Sequence, residues 1–435
     1  MAPGRTALAT PCWRLSLNAP PSPVERRELP PATGPLRLVS SLRYRDWRYL
    51  WSGLMVAQTG EWMDSLALNW IVLVLTDSPL ALGTLNLMRG LPTLALAMAG
   101  GVIADRFDRR LLMVGTQVSS MLCTAVLALL ASAELLEIWH IYIGLLVRGV
   151  INAVNSPARA SIVGDLVPRS DIGNAVALQS NVFNVTRMVG PAIAGLLIAV
   201  SGAAIVLWLN AASAGICAIA ILGMTRGAGK MAKPVTSAWS AMVEGVDYLR
   251  REPVVFMLLL LGIIPFILGQ PYQSMLPVFA KDVLVVGPEG LGLLTTAAAA
   301  GSMTGAFTIS SLGNFRRKGL VMMIGLLSFG TLLVVFSHTP WPLVAAVVLF
   351  FIGISTQVYQ TTNSTLIQLI VPSAYRGRVF GIHQMDRGFI PVGSFVAGAI
   401  AEGAGAPFAV AIMGGSLTLA SVAVLLFVPR MRRLE

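Results

Sequence analysis

Several ionisable side chains lie inside stretches that are otherwise apolar: Glu61, Asp64, Arg89, Arg148, Arg187, Asp386 and Arg387. A charge at mid-bilayer depth is expensive, so each such residue is a candidate for function. Glu61 and Asp64 are three residues apart and share a helical face. With a rise of about 1.5 Å per residue, Glu61 lies about 20 Å into its stretch and Arg89 about 12 Å from the start of the next. In a hydrocarbon core about 30 Å thick the two come nearly level. An acid pair beside an arginine can act as a protonation switch, because losing the proton strengthens the ion pair and gaining it releases Arg89. Glu61 is the first choice of proton carrier and Asp64 the second. A static salt bridge that fixes helix packing is the competing reading.

The other buried charges are read in the same way. Asp386 and Arg387 are adjacent, so on a helix they diverge by about 100°, and Asp386 is a secondary proton candidate. Arg148, near the middle of its stretch, is expected to neutralise an acid from the first span, the alternative being contact with an anionic substrate. Arg187 precedes Gly190 and Pro191 and is similar. A packing or interfacial role is expected for His383. The three cysteines, Cys12, Cys123 and Cys217, have no metal-ligand spacing. They read as small apolar side chains, and no metal or cofactor is expected.

These residues must be held by membrane helices. The 435 residues are 55% hydrophobic and 12% charged, with a mean hydropathy of +0.76, against about 25% charged in soluble proteins. Apolar stretches long enough to span occur near 49–75, 81–104, 111–133, 138–163, 174–200, 203–224, 254–279, 290–312, 319–337, 342–367, 379–401 and 407–428. The expected fold is therefore an all-α polytopic membrane protein of twelve transmembrane helices. Short alternating segments of the β-barrel kind are missing. The net charge of +11 is a topology signal, and no nucleic-acid partner is expected. Of the 31 Lys and Arg residues, all but Arg89, Arg148, Arg187, Lys281 and Arg387 lie in segments that are cytoplasmic if the amino terminus is inside. That asymmetry follows the positive-inside rule and predicts a multi-pass protein of the cytoplasmic membrane with both termini in the cytoplasm.

Residues 1–43, rich in Pro, Ala and Arg, read as a disordered cytoplasmic tail. Residues 226–252 read as a linker whose second part sets Trp239, Met242, Val243, Val246 and Leu249 on one face of an interfacial helix. The linker separates a first six-helix half, 44–225, from a second, 253–430, with 431–435 as a cytoplasmic tail. The halves also repeat. Gly149 matches Gly353, Ser161 matches Thr365 and Val167-Pro168 matches Val371-Pro372 at one offset, and Ile193–Gly195 matches Val396–Gly398 one residue out of step. Parallel six-helix repeats build one large class of transporters, with the substrate handled between the halves near the midplane.

Particular motifs narrow the class. They are Gly60-Glu61-Trp62, Thr76–Gly83, the charged turn 101–110, Leu166-Val167-Pro168, Gly190-Pro191 with Gly195, and Arg376-Gly377-Arg378-Val379. On these the chain from about 44 to 430 resembles the major facilitator superfamily, and within it the bacterial branch of enterobactin exporters and macrolide-efflux proteins. The resemblance implies a gating turn of Gly101, Asp105, Arg106, Arg109 and Arg110. Gly101 would pack against the partner half and Asp105 would accept bonds across the interface. Asp108 stands immediately before the final basic pair, where a left-handed residue is expected. The degraded copy at 315–318 has no acid, so the latch is one-sided.

Gln58, Asn155, Asn184, Gln357, Gln360 and Tyr359 are the candidate cavity residues, since polar side chains in lipid point inward. Amides and aromatics with few fixed charges suit bulky amphiphiles. The expected function is a secondary active transporter, not an enzyme, that exports bulky drug-like or macrolide-like compounds against protons as a monomer in the bilayer. A siderophore exporter is the alternative, because Arg148, Arg187 and Arg387 would serve an anion. A membrane-embedded enzyme is disfavoured: HExxH, a nucleophile–histidine arrangement and a phosphate-binding loop are all missing.

Overall fold

A computed structural model describes residues 34–225, 244, 247–313, 315–432 and 434; within these, the side chains of 34–38, 97–102, 104–106, 374 and 429 lie outside the description. The described chain is helical. The first half comprises α1 (Arg45–Thr76), α2 (Pro79–Arg106), α3 (Arg109–Ser132), α4 (Ile138–Leu166), α5 (Ile172–Ser201) and α6 (Ala203–Leu222). The second comprises α7 (Pro253–Leu268), α8 (Tyr272–Val278), α9 (Gly287–Leu312), α10 (Lys318–Ser337), α11 (Pro342–Ile370), α12 (Ser373–Gln384), α13 (Ile390–Ala404) and α14 (Ala406–Phe427). Every apolar stretch read from the sequence is helical. Eight helical stretches are individually long and apolar enough to cross a bilayer among the described residues. Of the rest, α1 carries Glu61 and Asp64, α9 is rich in Gly, Ala, Ser and Thr, the eleventh stretch is broken by a 3-10 turn, Met385–Phe389, and α2 includes residues whose side chains lie outside the description. They pack in the same bundle, α1 against α5 and α6, α2 against α4 and α13, and α9 against α5 and α11.

Local chemistry explains where the helices start. Ser78 caps α2 by accepting from the Ala81 amide at 3.2 Å, with Pro79 in the first turn. Asp108 caps α3, its Oδ1 accepting from the amides of Arg110 and Leu111 at 2.9 and 3.1 Å. Its backbone is extended (φ −62°, ψ 120°) and not left-handed as expected, because a side-chain cap requires the extended form. The left-handed residue occurs in the second-half copy, at Arg317 (φ 60°).

Large apolar side chains such as Leu196, Val200, Ile219, Phe307, Leu343, Leu419 and Phe427 face outward. Against water such a surface would be an association hazard; against lipid tails it is matched. Four-residue spacing of small residues does the internal work instead. Gly149 lies against the Arg89 carbonyl and Pro92 of α2, and its repeat partner Gly353 lies against Ala298 and Ser302 of α9. The halves meet along two seams of the same kind. Gly195 on α5 faces Pro288 and Gly292 on α9, and Gly398 on α13 faces Pro79 and Gly83 on α2. Small residues at these points let backbones touch. Both seams lie at the end of the bundle away from the chain termini. There Lys281 also pairs with Asp77, and Ser78 Oγ donates to Glu402 at 2.8 Å.

At the terminal end, residues 40–43 of the segment read as a tail are held by side-chain bonds. Ser40 Oγ donates to Asp171 Oδ1 at 2.7 Å, Ser41 Oγ donates to Asn174 Oδ1 at 2.7 Å, and the Tyr44 hydroxyl donates to Asp171 Oδ2 at 2.9 Å. These bonds dock residues 40–44 on the start of α5 and correct the expectation of disorder there. Residues 1–33, and the linker residues 226–243, 245 and 246 with their amphipathic face, lie outside the described residues apart from Leu249. What is described of the linker meets α12, through a stacked Tyr248–Tyr375 pair at 4.5 Å and a Glu244–Arg378 ion pair at 2.8 Å.

Candidate functional site

The first half is built around one ion pair. Arg148 on α4 donates through Nη1 to Asp64 Oδ2 on α1 at 2.6 Å, with the Asp64 carboxylate almost wholly buried. Its other oxygen, Oδ1, is buried and has no partner within the protein. One arginine bond offsets only part of the cost of burying a carboxylate.

Around the pair runs a polar chain. Arg89 on α2 donates to Ser65 Oγ at 2.5 Å and lies within Coulombic reach of Asp64, Arg148 and Glu61. Glu61 is exposed and accepts from Gln58 Nε2 at 2.8 Å, and Gln58 Oε1 accepts from Arg159 at 3.1 Å. The expected Glu61–Arg89 bond is therefore replaced by Ser65–Arg89. Positions 61 and 65 are one turn apart and share a face of α1, so depth decides: Ser65 lies about 6 Å further along the helix axis and meets Arg89. Ser65 and Arg159 were not singled out from the sequence. A hydroxyl in a membrane helix gives no signal by itself, and Arg159 lay in a stretch assigned to the cytoplasmic boundary.

Two cavities use these groups. One, of about 350 Å³, lies within the first half and is lined by Gln58, Glu61, Asp64, Arg148, Asn155 and Arg159 among others. The second, of about 200 Å³, lies between the halves and draws on Asn69 and Asn86 from the first, and on Gln270, Gln273, Thr295 and Ile390 from the second. Trp62, Ser65 and Arg89 line both and form the partition. Trp62 packs edge-on to Phe183 at 5.6 Å. Its indole nitrogen and the Asn155 carbonyl oxygen, like Asp64 Oδ1, are buried without a protein partner. Orphaned polar atoms are few in native proteins, so three on one cavity wall mark a place built to meet something polar.

Beside the partition, Arg187 lies over the Trp62 ring at 6.0 Å and within Coulombic reach of Arg387 from the other half. Arg187 is one turn from Pro191 and Arg387 one turn from Ile390, both on the wall of the central cavity. Among the described residues, neither arginine has a carboxylate partner at salt-bridge distance.

The remaining candidates separate. Tyr359 does not line a described cavity: it is 1% exposed, and its hydroxyl donates to the Leu261 carbonyl at 2.8 Å inside the second half. That buried bond fixes α11 to α7 and corrects the cavity assignment. Asn184, Gln357 and Gln360 are partly buried and line none of the described cavities, Gln357 donating to Thr361 Oγ1 at 3.0 Å. Asp386 is buried beside His383 while Arg387 is exposed, so the adjacent pair diverges.

In the turn, the side chains of Gly101, Asp105 and Arg106 lie outside the description. Arg109 pairs with Asp165 at the end of α4, and Arg110 donates to the Ile221 and Leu222 carbonyls at the end of α6. These two arginines stitch the first half to itself. A cation at a helix carboxyl end is favourable.

Comparison with known proteins places this geometry. The profile of the transmembrane secretion effector family matches residues 37–435. The chain is 30% identical to the staphyloferrin A transporter of Staphylococcus aureus, over 89% of this chain and 97% of that protein. It is 23% identical to macrolide efflux protein A of Streptococcus pyogenes, over 78% and 86%. The fold is similar to that of the nucleoside transporter NupG, with a TM-score of 0.67 over 88% and 99% at 14% identity. With its paired helical halves, interhalf cavity and buried charges, the chain belongs to the transmembrane secretion effector family of the major facilitator superfamily, as a multi-pass membrane transporter of small molecules and not an enzyme.

Proposed function

We propose that this protein exports a small organic compound from the cytoplasm in exchange for protons, with Asp64 as the carrier and Arg148 as its switch. The observation that carries the reading is the buried Asp64–Arg148 pair, with Asp64 Oδ1 left unpartnered on the cavity wall. A proton on Asp64 removes the negative charge, releases the Arg148 guanidinium, and supplies a hydroxyl donor. Deprotonation restores the pair. Because the two forms differ in charge and bonding, protonation biases a two-state equilibrium. Glu61, exposed in the same cavity, relays protons toward Asp64. Both termini lie in the cytoplasm, the protein works as a monomer in the cytoplasmic membrane, and Gly101 and Asp105 contribute to closing the terminal end.

The cargo is read as anionic and amphiphilic, a siderophore-type chelator. Arg187 and Arg387 come from opposite halves without carboxylate partners, so an anion between them would draw the halves together. Similarity to a transporter for staphyloferrin A supports this reading. A second reading, export of bulky neutral drug-like compounds, is favoured by the Trp62–Phe183 pair and the amide-rich walls, and by similarity to a macrolide efflux protein.

The test is accumulation of labelled compounds in everted membrane vesicles, with the proton gradient imposed or collapsed. Uptake of anionic chelators that requires the gradient and is lost in Asp64→Asn is expected. Uptake unaffected by collapsing the gradient would refute proton coupling, and uptake of neutral macrolides alone would move the cargo to the second reading.

A further inference from the structure

A second titratable cluster sits in the other half. His383 Nδ1 meets Asp386 Oδ2 at 2.8 Å, and His383 Nε2 meets Ser364 Oγ on α11 at 3.0 Å. Histidine and aspartate are buried, while Ser364 is partly exposed. The cluster occupies the point where α12 gives way to the 3-10 turn Met385–Phe389. That turn brings Asp386 onto Gly262 of α7, where even a methyl group would collide with the carboxylate. One turn of α7 is thereby shared, because Tyr359 on α11 donates to the carbonyls of Leu261 and Gly262.

We infer that His383 and Asp386 form a second proton-binding site, coupled to the break in the eleventh span. The inference rests on the proton-coupled reading above. Ser364 makes both protonation states possible. With a neutral imidazole, the serine hydroxyl donates to Nε2. When a proton binds Nε2, that N–H donates to the serine oxygen and the hydroxyl turns elsewhere. The proton therefore enters or leaves at Nε2, next to the one member of the cluster that reaches the surface. With the proton the dyad is a neutral His⁺–Asp⁻ pair; without it a net negative charge remains.

Among the described residues, no cation compensates that charge. The groups facing the dyad are Tyr359 from α11 and the uncharged Leu261–Gly262 turn of α7, while Leu94 of α2 packs on Gly388. Arg387 points away and is exposed. A buried uncompensated charge is unfavourable, so the packed form seen here holds the proton. Release requires the turn to leave Gly262 and admit water. Protonation of the dyad and packing of α12–α13 on α7 are thus one equilibrium.

The three histidines, His140, His338 and His383, make nitrogen-15 histidine labelling a direct probe. Protein in lipid nanodiscs carries Asp77→Cys and Lys281→Cys, joined by a reducible cross-linker that holds the far end shut, with Cys12, Cys123 and Cys217 replaced by serine. Spectra are compared at one fixed pH before and after reduction, with His383→Gln assigning the resonance. The expected result is a His383 Nε2 resonance that moves between its imidazolium and neutral positions when the cross-link is cut. Asp386→Asn should abolish the movement, and the milder Ser364→Ala, which leaves the dyad itself in place, should displace the Nε2 resonance alone. A His383 resonance indifferent to the cross-link overturns the inference. The same spectra in an Asp64→Asn background keep the two sites apart. A persistent shift there supports an autonomous second site even if the vesicle assay rejects Asp64, and its disappearance there refutes autonomy.

Discussion

Arg148 on α4 and Asp64 on α1 are joined at 2.6 Å in the first half, and only one oxygen of the carboxylate is used. Removing one partner of a buried pair leaves an uncompensated charge and costs about 3–5 kcal/mol, whereas removing both costs much less. Arg148→Gln should therefore lower thermal stability in detergent far more than Asp64→Asn with Arg148→Gln together. Equal losses in the single and double variants would mean that the pair carries no charge in the folded protein.

The glycine seams give a conformational prediction. A side chain at Gly398 would come within 2.6 Å of the Pro79 carbonyl oxygen, whereas one at Gly403 meets nothing within 4 Å. Gly398→Val should open the far end, and Gly403→Val should not. Cross-linking of Asp77→Cys to Lys281→Cys is the measurement. The rate should drop at least about tenfold in Gly398→Val, the equivalent of about 1.4 kcal/mol against closure.

Arg187 and Arg387 should discriminate cargo by charge. Neutralising either to Gln is expected to reduce uptake of anionic chelators into everted vesicles about tenfold or more while sparing neutral compounds, since a bond to a charged group is worth about 1.5–3 kcal/mol. Equal losses for both cargo classes would show that the arginines serve the fold alone.

Arg109 is 4% exposed and pairs with Asp165, which is more open. Arg109→Ala should destabilise the first half by about 1–3 kcal/mol, and Asp108→Ala, by deleting the cap of α3, by about 1 kcal/mol. Additive losses are expected in the double variant only to the extent that the cap and the ion pair are independent. Thermal unfolding of the purified protein reads all three.

Helix positions were legible because lipid leaves the chain no other way to satisfy its backbone, and long apolar runs such as those of α6, α10 and α14 announce themselves. The repeat was legible too, through Gly149 with Gly353 and Gly195 with Gly398, since each pair fills the same steric role in its half. What could not be read was the choice of partner. Glu61 and Ser65 share a face of α1 one turn apart, and it is Ser65, about 6 Å further along, that bonds Arg89. The 3-10 turn at Met385–Phe389 has a local cause in Gly388 and in Pro391, which cannot donate to the Arg387 carbonyl, but the packing of Asp386 on Gly262 is a contact between distant positions. Tyr359 likewise resembles a cavity aromatic in sequence and is a strut in the structure. The left-handed residue expected at Asp108 was displaced by a cap that the same side chain provides more favourably.

The bonds of Arg109 and Arg110 to the ends of α4 and α6 have a mechanical consequence. A half that is tied to itself at one end and seamed by backbone contact to its partner at the other behaves as a lever with its fulcrum at the seam. Over a lever arm of about 30 Å, the thickness of the hydrocarbon core, a rotation of roughly 10° displaces the terminal end by about 5 Å. That is close to the width of one side chain. A small change in angle at Gly195 and Gly398 is thus sufficient to uncover or seal a passage on the far side of the membrane from where the pivot lies.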